Sequence, residues 1–239
     1  MINKLENLSN ELSSESLKES LGQSIENLIK DVELANNVLD LIKSVQALAD
    51  LRSLQAIPTL IKALGYNNPG AAVAAMYGLI AIGREAVPEL LSLIDNYNYG
   101  ARAYTVRALA KIGDPRALEI LLDCSVNDLA PSVRRAAIKG LGYLQWAWLD
   151  ISSDIYQDNY QGNYQVEARI LATLSSILKD TDWSMRYAAV VALDHLTERC
   201  GDLAIAPLKE ALNLETNLGK DLSVIARTQL ALSKLKAKI

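Results

Sequence analysis

Phenylalanine is absent from this sequence, histidine occurs once and cysteine twice. Each shortage removes a class of chemistry. With His195 alone and no Cys-x-x-Cys or His-x-x-x-His pair, the residues for a zinc site are missing, and no metal is expected. Cys124 and Cys200 lie far apart without a pairing pattern, so no disulfide framework is expected and a reducing cytoplasm is the simple reading. No glycine-rich loop follows a strand-like run, which excludes the usual nucleotide cradles. No nucleophile–base constellation stands out either, so a self-contained enzyme with its own nucleophile and base is not supported. The apolar runs are too short for a membrane span, and the polar start is not a signal peptide. A formal net charge of −4 argues against nucleic acid as a partner.

What is present is repetition. Ala101–Asp123 reads as two short amphipathic helices around one turn. Ala103, Val106, Ala110 and Ile112 share one side, with Arg107 and Lys111 opposite, the spacing of a helix. Gly113 is placed to stop that helix, Asp114 to cap the next, and Pro115 to open it. Equivalent stretches begin at Ala71, Val133 and Met185, at offsets of 30, 32 and 52 residues, the last being one repeat with about twenty residues inserted. Second helices recur from Ile57, Val87, Ala117 and Ile205. A fixed period with helix–turn–helix content predicts an all-α solenoid, a right-handed superhelix of five or six hairpins. Small residues in the first helices are suited to close stacking.

In chain order, residues 1–43 form an N-terminal helical segment and residues 44–239 the solenoid. The segment holds a Leu5, Leu8, Leu12 stripe and then a clear helix with Leu21, Ile25, Leu28, Ile29 and Val32. It reads as an end cap, or alternatively as an exposed docking surface for a second subunit. Tyr97 and Tyr99, in the polar turn Asp95–Gly100, either offer a binding surface or pack over neighbouring helix ends. The insertion, near 146–166, spaces Tyr156, Tyr160 and Tyr164 by four, but Asn159 and Gly162 argue against a stable helix there. Arg102, Arg134 and Arg186 share one register and are expected to bond Asp or Asn of preceding turns. His195 reads as a satisfied structural histidine, and Cys124 and Cys200 as apolar fillers.

The pattern V-R-x-x-A-A-x-x-L-G at Val133–Gly142, with I-G-D-P-R-A-L at Ile112–Leu118, resembles short HEAT-like repeats. Three longer stretches, Ala63–Ala75, Asp95–Ala103 and Asp182–Leu193, resemble the phycobilin lyases of E/F type, and the smaller F-type subunit best. That resemblance implies an enzyme subunit that joins a linear tetrapyrrole to a cysteine of a phycobiliprotein α or β subunit. It implies a related E-type subunit as partner, the bilin as substrate, no resident cofactor and a cytoplasmic setting. Relatives that also isomerise the bilin carry an adjacent Cys–His pair; none occurs here, so attachment without isomerisation is expected. A non-catalytic chaperone or scaffold for phycobiliprotein assembly is the alternative, and a generic HEAT adaptor a third. Aromatic and cationic residues recur at the starts of the first helices, so Tyr97, Tyr99, Arg102, Arg135, Trp183, Arg186 and Tyr187 form the expected bilin- or partner-binding groove. The competing reading is that these arginines only brace their own turns.

Overall fold

The computed structural model describes residue 22 and residues 24–94, 99–145, 161–217 and 221–236. Every regular element among them is helical. In chain order these are α1 (24–34), α2 (Val38–Asp50), α3 (Ile57–Leu64), α4 (Pro69–Ile82), α5 (Val87–Ser92) and α6 (Tyr99–Ile112). They continue with α7 (Leu118–Asn127), α8 (Pro131–Tyr143), α9 (Gln161–Ile177), α10 (Trp183–Cys200), α11 (Asp202–Asn217) and α12 (Leu222–Lys236). The even-numbered helices are the first helices of the repeats and α3, α5, α7, α9 and α11 the second. The result is the solenoid of HEAT-like hairpins that the period predicts. Among the described residues no single helix is long and apolar enough to cross a membrane.

Local chemistry explains the breaks. Gly83 and Gly113 adopt φ of 88° and 73°, and each N–H returns to the carbonyl four residues back. Only glycine takes that conformation without strain. Asp114 then accepts from the backbone of Arg116 at 2.9 Å, with Pro115 opening a short 3-10 turn as expected. Asn68 caps α4 by accepting from Ala71 N–H at 3.1 Å, and its amide donates to the Val38 carbonyl at 3.2 Å. A single buried side chain thus starts one helix and ties it to the start of another.

The chain divides into two compact units, Met1–Tyr104 and Thr105–Ile239, with the boundary inside α6. In the first, α4 packs on α2 and α3, burying Val45, Leu48, Leu60, Leu64 and Leu79. In the second, α8 packs on α7 and α10, and α12 on α10 and α11. Leu109, Leu121, Ile138, Leu141, Ile170 and Leu174 form its core. Each such side chain contributes roughly 1.5–3 kcal/mol relative to exposure. Small residues let the first helices touch. A Cβ on Gly78 would lie 2.6 Å from the Cβ of Ala49, one on Gly140 2.6 Å from that of Ala110, and one on Gly142 2.7 Å from the Cα of Ala192.

Two expectations change. Gly162 does not prevent a helix, because α9 begins at Gln161. Glycine costs about 1 kcal/mol in a helix, and Ile170, Leu171, Leu174 and Ile177 further along are buried and outweigh it. Tyr156 and Tyr160, like Leu5, Leu8, Leu12 and Leu21, lie outside the described residues, as does the side chain of Tyr164. The N-terminal helix is also less open than an unpartnered docking face. Ile25 and Val32 are buried, Leu28 and Ile29 half-buried, and the exposed apolar side chains are Leu34, Val38 and Leu39.

Candidate functional site

On α8, Arg135, Lys139 and Tyr143 follow one another at four-residue spacing and so share a face. On α10, Trp183 and Tyr187 are four residues apart, and His195 follows two turns after Tyr187. Two contacts join these faces. Arg135 Nη1 donates to Ser184 Oγ at 3.1 Å, and the rings of Tyr143 and His195 lie 4.1 Å apart, tilted by 44°. Between Trp183 and Tyr187 the rings meet edge to face at 6.4 Å. Trp183 is 48% exposed and Tyr143 41%, far more than aromatic side chains of a core.

Charge on this face is of one sign. Lys139 is held below its ordinary value by partial burial and by the cations Arg135 and Lys111. Lys111 on α6, Arg135 and Lys139 therefore repel one another, and a bound anion would relieve that repulsion. Asp182, at the cap of α10, is not a free counter-charge. It accepts from the hydroxyl and the backbone N–H of Ser184, at 2.7 and 2.8 Å. Those two bonds hold its carboxyl below the usual range, with Arg135 and Arg134 adding to them.

His195, read from sequence as a satisfied structural histidine, has an exposed side chain whose ring lies against Tyr143. The neighbouring Asp194 is the one that is buried, and it is claimed by Arg227 Nη2 at 2.6 Å and Lys234 Nζ at 2.7 Å, both from α12. Partial burial pulls the His195 imidazole below its ordinary value; Arg227 and Lys234 act in the same direction, and Asp194 and Glu198 oppose it.

Of the seven residues expected at the site, the structure brings three together: Arg135, Trp183 and Tyr187. Arg186 points inward instead. Its guanidinium pairs with Glu215 through Nε and Nη2, and Nη1 donates to the carbonyls of Asp180 and Thr181 at 2.9 and 3.1 Å. Arg102 donates to the Ile94 carbonyl at 3.3 Å and belongs to the first unit. Tyr97 lies outside the described residues, as does the side chain of Tyr99. The arginine ladder exists, and each of its three guanidinium groups reaches back to the stretch before its own helix. Arg102, Arg134 and Arg186 reach carbonyls that end the preceding helix or turn, Ile94, Ser125 and Asp180. The carboxylates of Arg134 and Arg186 come from later in the chain, Asp180 and Glu215. Carbonyls at a helix end have no partner within the helix, so an arginine opening the next helix meets them first.

Lys139, Tyr143 and His195 lie further along their helices than the helix starts from which the sequence marks the groove. The signal was there, since the 52-residue offset that relates the repeats carries Arg135 onto Tyr187 and Tyr143 onto His195.

Comparison with known proteins agrees with this architecture. The profile of HEAT repeats matches residues 71–142, and that of the PBS lyase HEAT-like repeat residues 41–66. A Nostoc protein named phycocyanobilin lyase subunit beta is 49% identical over 169 residues, 71% of this chain and 80% of that protein. The chain belongs to the phycocyanobilin lyase β-subunit family. A second member, the Synechocystis protein named phycocyanin alpha phycocyanobilin lyase CpcF, is 46% identical over 188 residues, 79% of this chain and 83% of its own. Among solved structures, a chain in the complex of CpcE and CpcF of phycocyanin lyase from Nostoc is 46% identical, with a TM-score of 0.63 over 75% of this chain and 99% of that one. The F-type resemblance read from the three fingerprints is thereby correct. In this lyase β subunit, the α8–α10 face combines aromatic edges and clustered cations, a surface suited to a flat conjugated molecule carrying carboxylates.

Proposed function

We propose that the chain is the F-type subunit of a bilin lyase, which with an E-type subunit attaches a linear tetrapyrrole to a cysteine of a phycobiliprotein α or β subunit. The observation that carries this reading beyond family membership is the α8–α10 face, where Trp183 and Tyr187 adjoin Arg135 and Lys139. Aromatic rings cover the conjugated pyrroles, and the cations hold the propionates. The thiol and the bilin's own exocyclic double bond are the reactants, so holding them in register is the larger part of the work. No cofactor is needed for such an addition, and the site of action is the cytoplasm. Cys124 and Cys200 have no histidine neighbour in sequence, in keeping with attachment without isomerisation.

Titrating phycocyanobilin into the purified chain with its E-type partner tests the face. Arg135→Ala, Trp183→Ala and Tyr187→Ala should each weaken binding about tenfold, the scale of one charge-assisted pair, with melting temperature unchanged. Full affinity in all three would remove this face as the pigment site. A chaperone or scaffold, by contrast, would capture the acceptor protein and no pigment.

A further inference from the structure

His195 is the chain's single histidine, and it stands at one end of the proposed pigment face. Its ring is set by the fold. Gly142 lies so close to the Ala192 backbone that no Cβ fits between α8 and α10, and this fixes the adjoining Tyr143–His195 pair. Tyr143 is pinned again from behind. Its carbonyl lies 2.7 Å from where a Cβ on Gly113 would stand, and Gln145 N–H donates to the Gly113 carbonyl at 2.8 Å. The neighbouring carboxylate does not claim the imidazole, since Asp194 is occupied by Arg227 and Lys234.

The order of groups along the face matters. Arg135, bonded to Ser184, stands level with Trp183 and Tyr187 at one end, Lys139 follows one turn on, and Tyr143 with His195 close the other end. Twelve residues separate Trp183 from His195, about 18 Å along a helix. A linear tetrapyrrole carries its propionates on the two inner rings and its reactive double bond on a terminal ring. Seating the propionates on Arg135 and Lys139 therefore puts a terminal ring beside His195. The other ionisable groups on the face are arginine, lysines and tyrosines, and histidine is the side chain suited to passing a proton near neutrality.

Resting on the lyase reading above, we infer that His195 is the proton-transfer group of the attachment step. Its imidazole takes the proton from the acceptor cysteine thiol. The thiolate sulfur forms a bond to the outer carbon of the exocyclic double bond, and the displaced π pair moves toward the ring. The imidazolium returns the proton to that ring, leaving histidine neutral. The sum is addition of S–H across C=C, with no oxidant or reductant. The charged and titratable groups around His195 are Tyr143 and Lys139 of α8, Asp194 and Glu198 of α10, and Arg227 and Lys234 of α12. Burial, with Arg227 and Lys234, holds the imidazole below its ordinary value, the direction that favours the neutral ring able to accept a proton.

The test is single-turnover attachment of phycocyanobilin to an apo-phycocyanin subunit by the complete two-subunit lyase, followed against pH. Wild type should lose rate as pH falls and the imidazole becomes protonated, at a pH below the ordinary histidine value. His195→Gln should attach roughly 100-fold more slowly, lose that limb, bind the pigment with unchanged affinity, and recover rate with added imidazole. A variant with wild-type rate and pH profile overturns the assignment while leaving the lyase reading intact. So does a variant that only lowers melting temperature, with the rate per folded molecule kept. If wild-type complex attaches no pigment, the lyase reading fails and this assignment with it.

Discussion

Arg186 and Arg135 show how differently two arginines can serve on neighbouring first helices. Arg186 is 4% exposed and its guanidinium is filled by Glu215 and two carbonyls, whereas Arg135 is half-buried and meets only a serine hydroxyl by a direct hydrogen bond among the described residues. Removing one member of a buried pair strands the other, so Glu215→Ala should cost about 3–5 kcal/mol in urea unfolding. Pigment affinity per folded molecule should not change. Asp194 makes a pH prediction. Burial pushes its carboxyl up from the ordinary 3.8, but hydrogen bonds from Lys234 and Arg227 outweigh this and leave it lowered. A lowered carboxylate stabilises the fold above its ordinary value, and that stability is lost as pH falls through the lower folded value. Between about pH 5 and pH 3, wild type should therefore lose more unfolding free energy than Asp194→Asn. Parallel slopes would contradict the assignment of that acid sensitivity to Asp194.

At the level of helices, the glycines that matter are of two kinds, and sequence reveals them unequally. Gly113 announced a helix end because Asp-Pro follows it, and its φ of 73° agrees. Gly142 gave no such sign, yet it lets the α8 backbone meet Ala192. Gly142→Ala should destabilise by roughly 1–3 kcal/mol, read by thermal denaturation, because the atoms in the way are backbone and cannot move aside cheaply. If the Tyr143–His195 pair depends on this approach, the same variant should also slow attachment. The hairpins, caps and stacking were legible because they rest on local rules and a repeated period. The partners of Arg186 were not, since Glu215 stands 29 residues further on and nothing local marks it. The proposed pigment face was half legible: position in the repeat pointed to Arg135, Trp183 and Tyr187, but Lys139, Tyr143 and His195 needed knowledge of which helical face stays open.

For the whole molecule, partnership with an E-type subunit turns attention to apolar side chains that the folded chain leaves uncovered. Leu34, Val38 and Leu39, at the α1–α2 junction, are 71%, 64% and 67% exposed. Apolar surface gathered this way marks an interface more often than a free surface. Val38→Asp with Leu39→Asp should abolish co-elution with the E-type subunit on gel filtration without lowering helicity; undiminished co-elution would place the interface elsewhere.

The attachment of α12 has a further consequence. Its fully buried side chains are Val224, Thr228 and Ala231, all small, while Leu222 and Leu230 stay exposed. Arg227 and Lys234 also tie it to Asp194 of α10, and the Lys234 side chain is 52% open to water. Dissolved ions screen such a pairing, with a Debye length of about 10 Å at 0.1 M shrinking to about 3 Å at 1 M. Salt should thus act as a solvent for this one helix, loosening α12 while the leucine-filled interior is left tight. Amide exchange would see faster deuterium uptake over 222–236 in 1 M salt than in 0.1 M. Since Arg227 and Lys234 add to the burial that holds the His195 imidazole below its ordinary value, brine would change the chemistry of the proposed pigment face without touching a residue on it.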